Sequence, residues 1–252
     1  MTLLIMGLLL APDALAWGLQ THVFLAQWML AAAPFADPRF RQAVLRLPRL
    51  VLAGACLPDL ALAGKMCGVQ VFKNSHRWAT LQRLADGGDE ARAIAVGYAS
   101  HLLADVIAHN RFVPEHEARM LALPHVTHAL CEWAMDDHLR PGLHEPPAEL
   151  LLSEIRTLAP VAAAAFGCRE RTARRTLRVL ACAERALRSS PLPRWCGRLV
   201  RAFTSDVAPR FDAYIGDAAA MVRRIEGVLR GAEPRWDPEP EPGQAMAREA
   251  PA

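Results

Sequence analysis

The chain has 252 residues, 52% of them apolar and 22% charged, which excludes a disordered or fibrous protein and leaves ample length for a buried core. Its net charge is only +3, so nucleic-acid binding by bulk charge is not expected. All nine histidines lie between His22 and His144, which places any imidazole chemistry in the front half.

Residues 1–16 read as a secretory signal peptide. The apolar run Leu3–Leu10 is far shorter than the ~20 residues a membrane span needs. Ala14-Leu15-Ala16 is a small-x-small cleavage site. Cleavage after Ala16 gives an exported protein, periplasmic or secreted, that begins at Trp17. Beyond it, apolar residues recur three and four apart, predicting helices over 19–33, 36–46, 49–63, 75–86, 89–110, 125–139, 146–165, 167–189, 193–204 and 207–231. Pro34, Pro48, Gly87-Gly88, Pro114, Pro124, Pro141-Gly142, Pro146-Pro147, Gly167, Pro191 and Pro193 fall at or near their borders. Strand signals are scarce. The expectation is one compact all-α domain over residues 17–231.

Residues 150–231 carry 15 Arg against 7 acids. The plain reading is a solvated helix face, with a mild attraction to anionic surfaces as the functional one. From Ala232 the sequence AEPRWDPEPEPGQAMAREAPA loses all periodicity and reads as a disordered tail, 232–252. The six cysteines form no CxxC pair. Disulfides are permitted in an exported protein, and Cys131 reads as a small core residue.

The informative stretch is Gly97 to Pro114, GYASHLLADVIAHNRFVP. His101, Asp105 and His109 stand at i, i+4 and i+8, on one helix face, with about 6 Å of rise per step. His101 and Asp105 can grip one ion. His109 lies about 12 Å from His101 along the axis and belongs to a neighbouring site. His128 and Glu132 repeat the i, i+4 spacing, so His109, His128 and Glu132 form a set of three nitrogen and oxygen donors of the kind zinc takes. His76 and Asp59 are the best partners for His101 and Asp105, with His22 next. The apolar surroundings Leu102, Leu103, Val106 and Ile107 make uncompensated burial of His and Asp costly, and a metal removes that cost. His116, His125, His138 and His144 receive no role, and Asp136 and Asp137 read as solvated or supporting residues.

The ordered set of Trp, His, Asp, His, His-x-x-x-Asp, His and His-x-x-x-Glu, from Trp17 to Glu132, resembles the zinc-dependent phospholipase C family, which is related to the single-strand-specific zinc nucleases. The resemblance implies an all-α enzyme with up to three Zn²⁺ ions at the base of a cleft. Trp17, through its α-amino group and carbonyl, would hold one ion with His22. Asp105 would bridge that ion to a second, completed by Asp59, His76 and His101. His109, His128 and Glu132 would hold the third. The implied activity is phosphodiester hydrolysis by a metal-held hydroxide attacking phosphorus, with Asp59 as ligand, base or both. The substrate would be phospholipid or another phosphodiester, with transient membrane-surface contact and no stable nucleic-acid binding. Leu60 follows Asp59, where choline-selective members resemble one another in having an aromatic residue. A nuclease or nucleotidase of the related branch, and a non-catalytic metal-binding protein, are the alternatives.

Overall fold

The computed structural model describes residues 18–32, 35–117, 124–203 and 206–240, apart from the side chains of 124–128 and 203. Among these residues every regular element is helical, in agreement with the expected all-α class. In chain order they are α1 (Leu19–Ala32), α2 (Pro38–Arg46), α3 (Pro48–Gly54), α4 (Leu60–Met66), α5 (Trp78–Ala85), α6 (Asp89–Ile107), α7 (Val113–Glu117), α8 (Pro124–Leu139), α9 (Pro147–Ser153), α10 (Ile155–Phe166), α11 (Glu170–Ser189), α12 (Leu192–Phe203), α13 (Val207–Val222) and α14 (Ile225–Leu229). The proposed signal peptide and Trp17 lie outside the described residues.

Helix α6 is the central post. Asp89 and Glu90 sit in its first turn, where the helix dipole favours negative charge. Every residue from Ala93 to Ile107 is buried, as a helix without a polar face requires. The run Asp89–Glu117 is long and apolar enough to cross a membrane, but 89% of its apolar window lies inside the protein. Helices α1, α2, α3, α5 and α13 pack around it.

The crossing of α3 and α6 brings two backbones into contact. A Cβ on Gly97 would lie 1.8 Å from the Val51 carbonyl oxygen and 2.7 Å from the Ala55 nitrogen. A Cβ on Gly54 would lie 2.5 Å from the Ile94 carbonyl oxygen. Only glycine permits such an approach. The crossing brings the Ala55 carbonyl to the middle of α6.

Three expected helices are divided. The 49–63 helix breaks over residues 55–59, where tight turns return the N–H groups of Cys56 and Leu57 to Ala53 and Gly54 and Pro58 has no N–H to donate. The 146–165 helix breaks at Glu154. Arg49 holds that corner, its Nε donating to Glu154 and its Nη2 to Ser153. The 207–231 helix parts at Arg223–Arg224. The 89–110 helix ends at Ile107 and passes into a π-helical turn, Ala108–Phe112, a widening that periodicity does not encode. All six cysteines are free thiols, and Cys131 is fully buried in the core.

Gly97→Ala should lower unfolding stability by about 3 kcal/mol, because the added methyl meets the backbone of Val51 and Ala55 and cannot be accommodated by a rotamer change. Urea denaturation checks this, and an unchanged midpoint would contradict the close crossing.

Candidate metal centre

Four segments deliver polar side chains to one point in the core. Helix α6 supplies His101 and Asp105, α1 supplies His22, the turn before α4 supplies Asp59, and the loop before α5 supplies His76. Asp105 lies between them. Its Oδ1 is 3.3 Å from His22 Nε2, and its Oδ2 is 2.9 Å from His101 Nε2 and 3.5 Å from His76 Nε2. His76 Nε2 is 3.3 Å from His101 Nε2 and 3.8 Å from Asp59 Oδ1. The His22 and His101 rings stack at 3.5 Å with 13° between their planes.

Two donor sets result. His22, His101 and Asp105 each offer one atom within 4.8 Å of the others, and so do Asp59, His76 and His101. His101 belongs to both, and Asp105 turns one oxygen to His22 and the other to His101 and His76. Imidazole nitrogen with carboxylate oxygen is the donor chemistry zinc takes.

Groups behind the ligands orient them. His101 Nδ1 lies 2.7 Å from the Ala55 carbonyl oxygen. This contact assigns the proton to Nδ1 and aims the Nε2 lone pair inward. Ser75 donates its hydroxyl to the Pro58 carbonyl, and its Oγ stands 3.5 Å from His76 Nδ1. The buried Tyr98 hydroxyl donates to the Ser75 carbonyl. The loop before His76 is thereby tied both to the 55–59 turn and to α6.

The electrostatics call for a cation. Burial pushes the Asp59 carboxyl up to about 7; His101 opposes this, while the Asp105, Asp136 and Glu184 carboxylates reinforce it. Burial raises Glu132 well above the usual carboxylate range, with Asp59, Asp136 and Asp105 adding repulsion. Burial lowers His76, helped by His101, His109 and Arg77. At His101 burial works downward, but Asp105 and Asp59 outweigh it and the net shift is upward. A divalent cation would offset both the desolvation and the mutual repulsion of these carboxylates. The residues present fit zinc.

The third expected set is only partly in view. His109 is half-buried in the π turn, close enough to perturb His76. Glu132, on α8, is fully buried and feels Asp59 and Asp105. The His128 side chain and all of Trp17 lie outside the described residues. Among the remaining histidines, His116 is buried, its Nδ1 2.7 Å from the Phe112 carbonyl oxygen. His138 Nε2 lies 2.7 Å from Asp212, and His144 is exposed.

Asp136 is the residue that sequence reasoning undervalued. It is fully buried and accepts from the Thr21 N–H at 2.9 Å and the Thr21 hydroxyl at 2.7 Å. Arg188 of α11 donates to its other oxygen and to Glu184. Asp136 thus ties the start of α1, next to His22, to the helix that carries Glu132. A Cβ on Gly18 would lie 2.0 Å from Asp136 Oδ2, so the backbone at Gly18 passes directly over this carboxylate. The signal was available: Asp136 stands four residues after Glu132, on the same helix face.

Residues 21–166, more than half of the chain, match the family model for zinc dependent phospholipase C. The chain belongs to the zinc-dependent phospholipase C family. Comparisons with curated proteins and with solved structures found no match. The matched residues include every described donor, from His22 to Glu132. Helices α11 to α14 follow the matched span.

Asp105→Asn should weaken zinc binding by more than about 100-fold, since one oxygen faces His22 and the other faces His101 and His76. Zinc content of the purified protein checks this, and normal content would contradict the shared role. A pH dependence also follows. Without metal, folded Asp59 keeps its proton up to about 7, against 3.8 for the ordinary carboxyl. The folded state therefore binds more protons in between, and the metal-free protein loses stability as pH rises through that window. Zinc takes the place of the proton, so added zinc should raise the melting temperature more at pH 8 than at pH 5.

Proposed function

We propose that this protein is a zinc-dependent phosphodiester hydrolase of phospholipase C type. The observation that carries the reading is the pair of donor sets that share His101, with Asp105 of the first facing His76 of the second, within a chain of this family. His22, Asp59, His76, His101 and Asp105 would hold two neighbouring zinc ions. Trp17 would complete the first, and His109, His128 and Glu132 would hold a third. Zinc bound there supplies Lewis acidity toward phosphoryl oxygens and acidifies water. Asp59 would serve as ligand, base or both: the burial that raises its carboxyl to about 7 in the metal-free protein makes it a ready acceptor of a cation or of a proton. The Ala55 carbonyl and Asp105 keep His101 in one tautomer and one orientation throughout. The apolar walls around α6 exclude bulk water, which strengthens each of these interactions.

One further feature supports a lipid substrate. An open groove of about 430 Å³ on α11 is lined by Arg171, Arg174, Arg175 and Arg178, and it offers positive charge to an anionic headgroup layer. The N-terminal sequence supports export, with Trp17 as the first residue of the mature chain; N-terminal sequencing of the exported protein tests that placement.

The zinc-loaded protein should release diacylglycerol from phospholipid vesicles and leave single-stranded DNA uncut. Chelation should lower the rate by at least ~100-fold, and added zinc should restore it. Cleavage of the DNA with no lipid hydrolysis would move the assignment to the nuclease branch. Zinc binding without hydrolysis of either would leave a metal-binding protein.

A further inference from the structure

The segment after α14 lies against the protein beside the metal centre. Its first turn is made by Gly231, at a φ of +95°, and by the Ala232 N–H bonding back to Gly227. From there Asp237 makes three contacts. Its Oδ2 lies 2.9 Å from Arg77 Nη1, its carbonyl accepts from Asn110 Nδ2 at 3.0 Å, and its Oδ1 accepts from the Glu239 N–H at 2.8 Å. Pro238 is buried.

The two anchors are not arbitrary surface points. Arg77 follows His76 and Asn110 follows His109, so Asp237 spans two segments that carry candidate ligands. This is also the side on which the centre nears solvent. His22, His101 and Asp105 have no exposure, His76 and Asp59 are 4% and 7% exposed, and His109 is half-buried. The segment bends at residues 235–236 and 238–239, and Pro234, Pro238 and Pro240 have no N–H to donate. The Arg77 and Asp237 side chains are 47% and 41% exposed, and an ion pair at such exposure is weak. The segment is thus anchored beside His76 and His109 through an exposed ion pair and one amide hydrogen bond.

We infer that residues 232–240 form a strap across the mouth of the metal centre, and that Asp237 occupies Arg77, the cation that takes the phosphate of an incoming phosphodiester. A guanidinium recognises carboxylate and phosphate through the same fork of N–H donors, so an anionic substrate displaces Asp237 and opens the strap as it binds. The nature of the displacing ligand rests on the phosphodiesterase reading. The closure itself does not.

The test uses zinc-loaded full-length protein, Asp237→Ala, Arg77→Ala, and a chain ending at Pro234 that keeps α14 and its terminal turn. Zinc transfer to a chelating dye is measured alongside steady-state hydrolysis of bis(p-nitrophenyl) phosphate. Asp237→Ala and the shortened chain should release zinc up to about tenfold faster and show a lower KM with kcat nearly unchanged. Arg77→Ala should also release zinc faster but show a raised KM. Unchanged zinc release in both Asp237→Ala and the shortened chain overturns the strap. Loss of zinc from Asp237→Ala as purified overturns it too, because Asp237 would then be a ligand. A raised KM for Asp237→Ala, or an unchanged KM for Arg77→Ala, overturns the phosphate role. If the protein hydrolyses no phosphodiester, zinc release still decides the strap, and only the function proposed above fails.

Discussion

Asp105 places a carboxylate in the middle of an apolar helix with no access to water, and the surrounding structure answers that burial. Three imidazoles from three segments converge on its two oxygens, and Asp59 and Glu132 stand close enough to repel it. A core that gathers carboxylates in this way must neutralise them, with protons at low pH or with a cation that shares the space. Fold and site chemistry are therefore linked: the same burial that raises Asp59 toward neutrality suits the centre to a divalent cation.

Precision at the centre comes from backbone rather than from the ligands alone. Gly54 and Gly97 let α3 touch α6, and the break after α3 leaves the Ala55 carbonyl free of the helical ladder. That carbonyl then fixes the tautomer of His101. Ser75 and Tyr98 do comparable work behind His76. Ligands held from behind lose little freedom on binding an ion, so affinity and geometry are set before the metal arrives.

Much of this was legible in the sequence, and the rest was hidden for identifiable reasons. The four-residue spacing of His101, Asp105 and His109 follows directly from helix geometry, and the helix borders at proline and glycine fell close to their expected places. The break at residues 55–59 was missed because the apolar pattern continues through it and Pro58 was read as lying inside a helix. The π turn was missed because it keeps a helical pattern while changing the number of residues per turn. Asp136 was left between a solvated and a supporting role because its partners, Thr21 and Arg188, lie 115 and 52 residues away in the chain. The strap was hidden by composition: a proline-rich acidic stretch has no periodicity, and its anchoring depends on where Arg77 and Asn110 come to rest.

Arg188 has a further consequence. The span that matches the family ends at residue 166, yet the guanidinium that neutralises Asp136 lies beyond it, on α11. Removing one member of a buried ion pair costs about 3–5 kcal/mol, comparable with the whole margin by which small domains stay folded. The border drawn by likeness is therefore not a border at which the chain can be cut. The smallest autonomous unit around the candidate ligands extends at least through α11, and the back half supports a centre to which it contributes no described ligand.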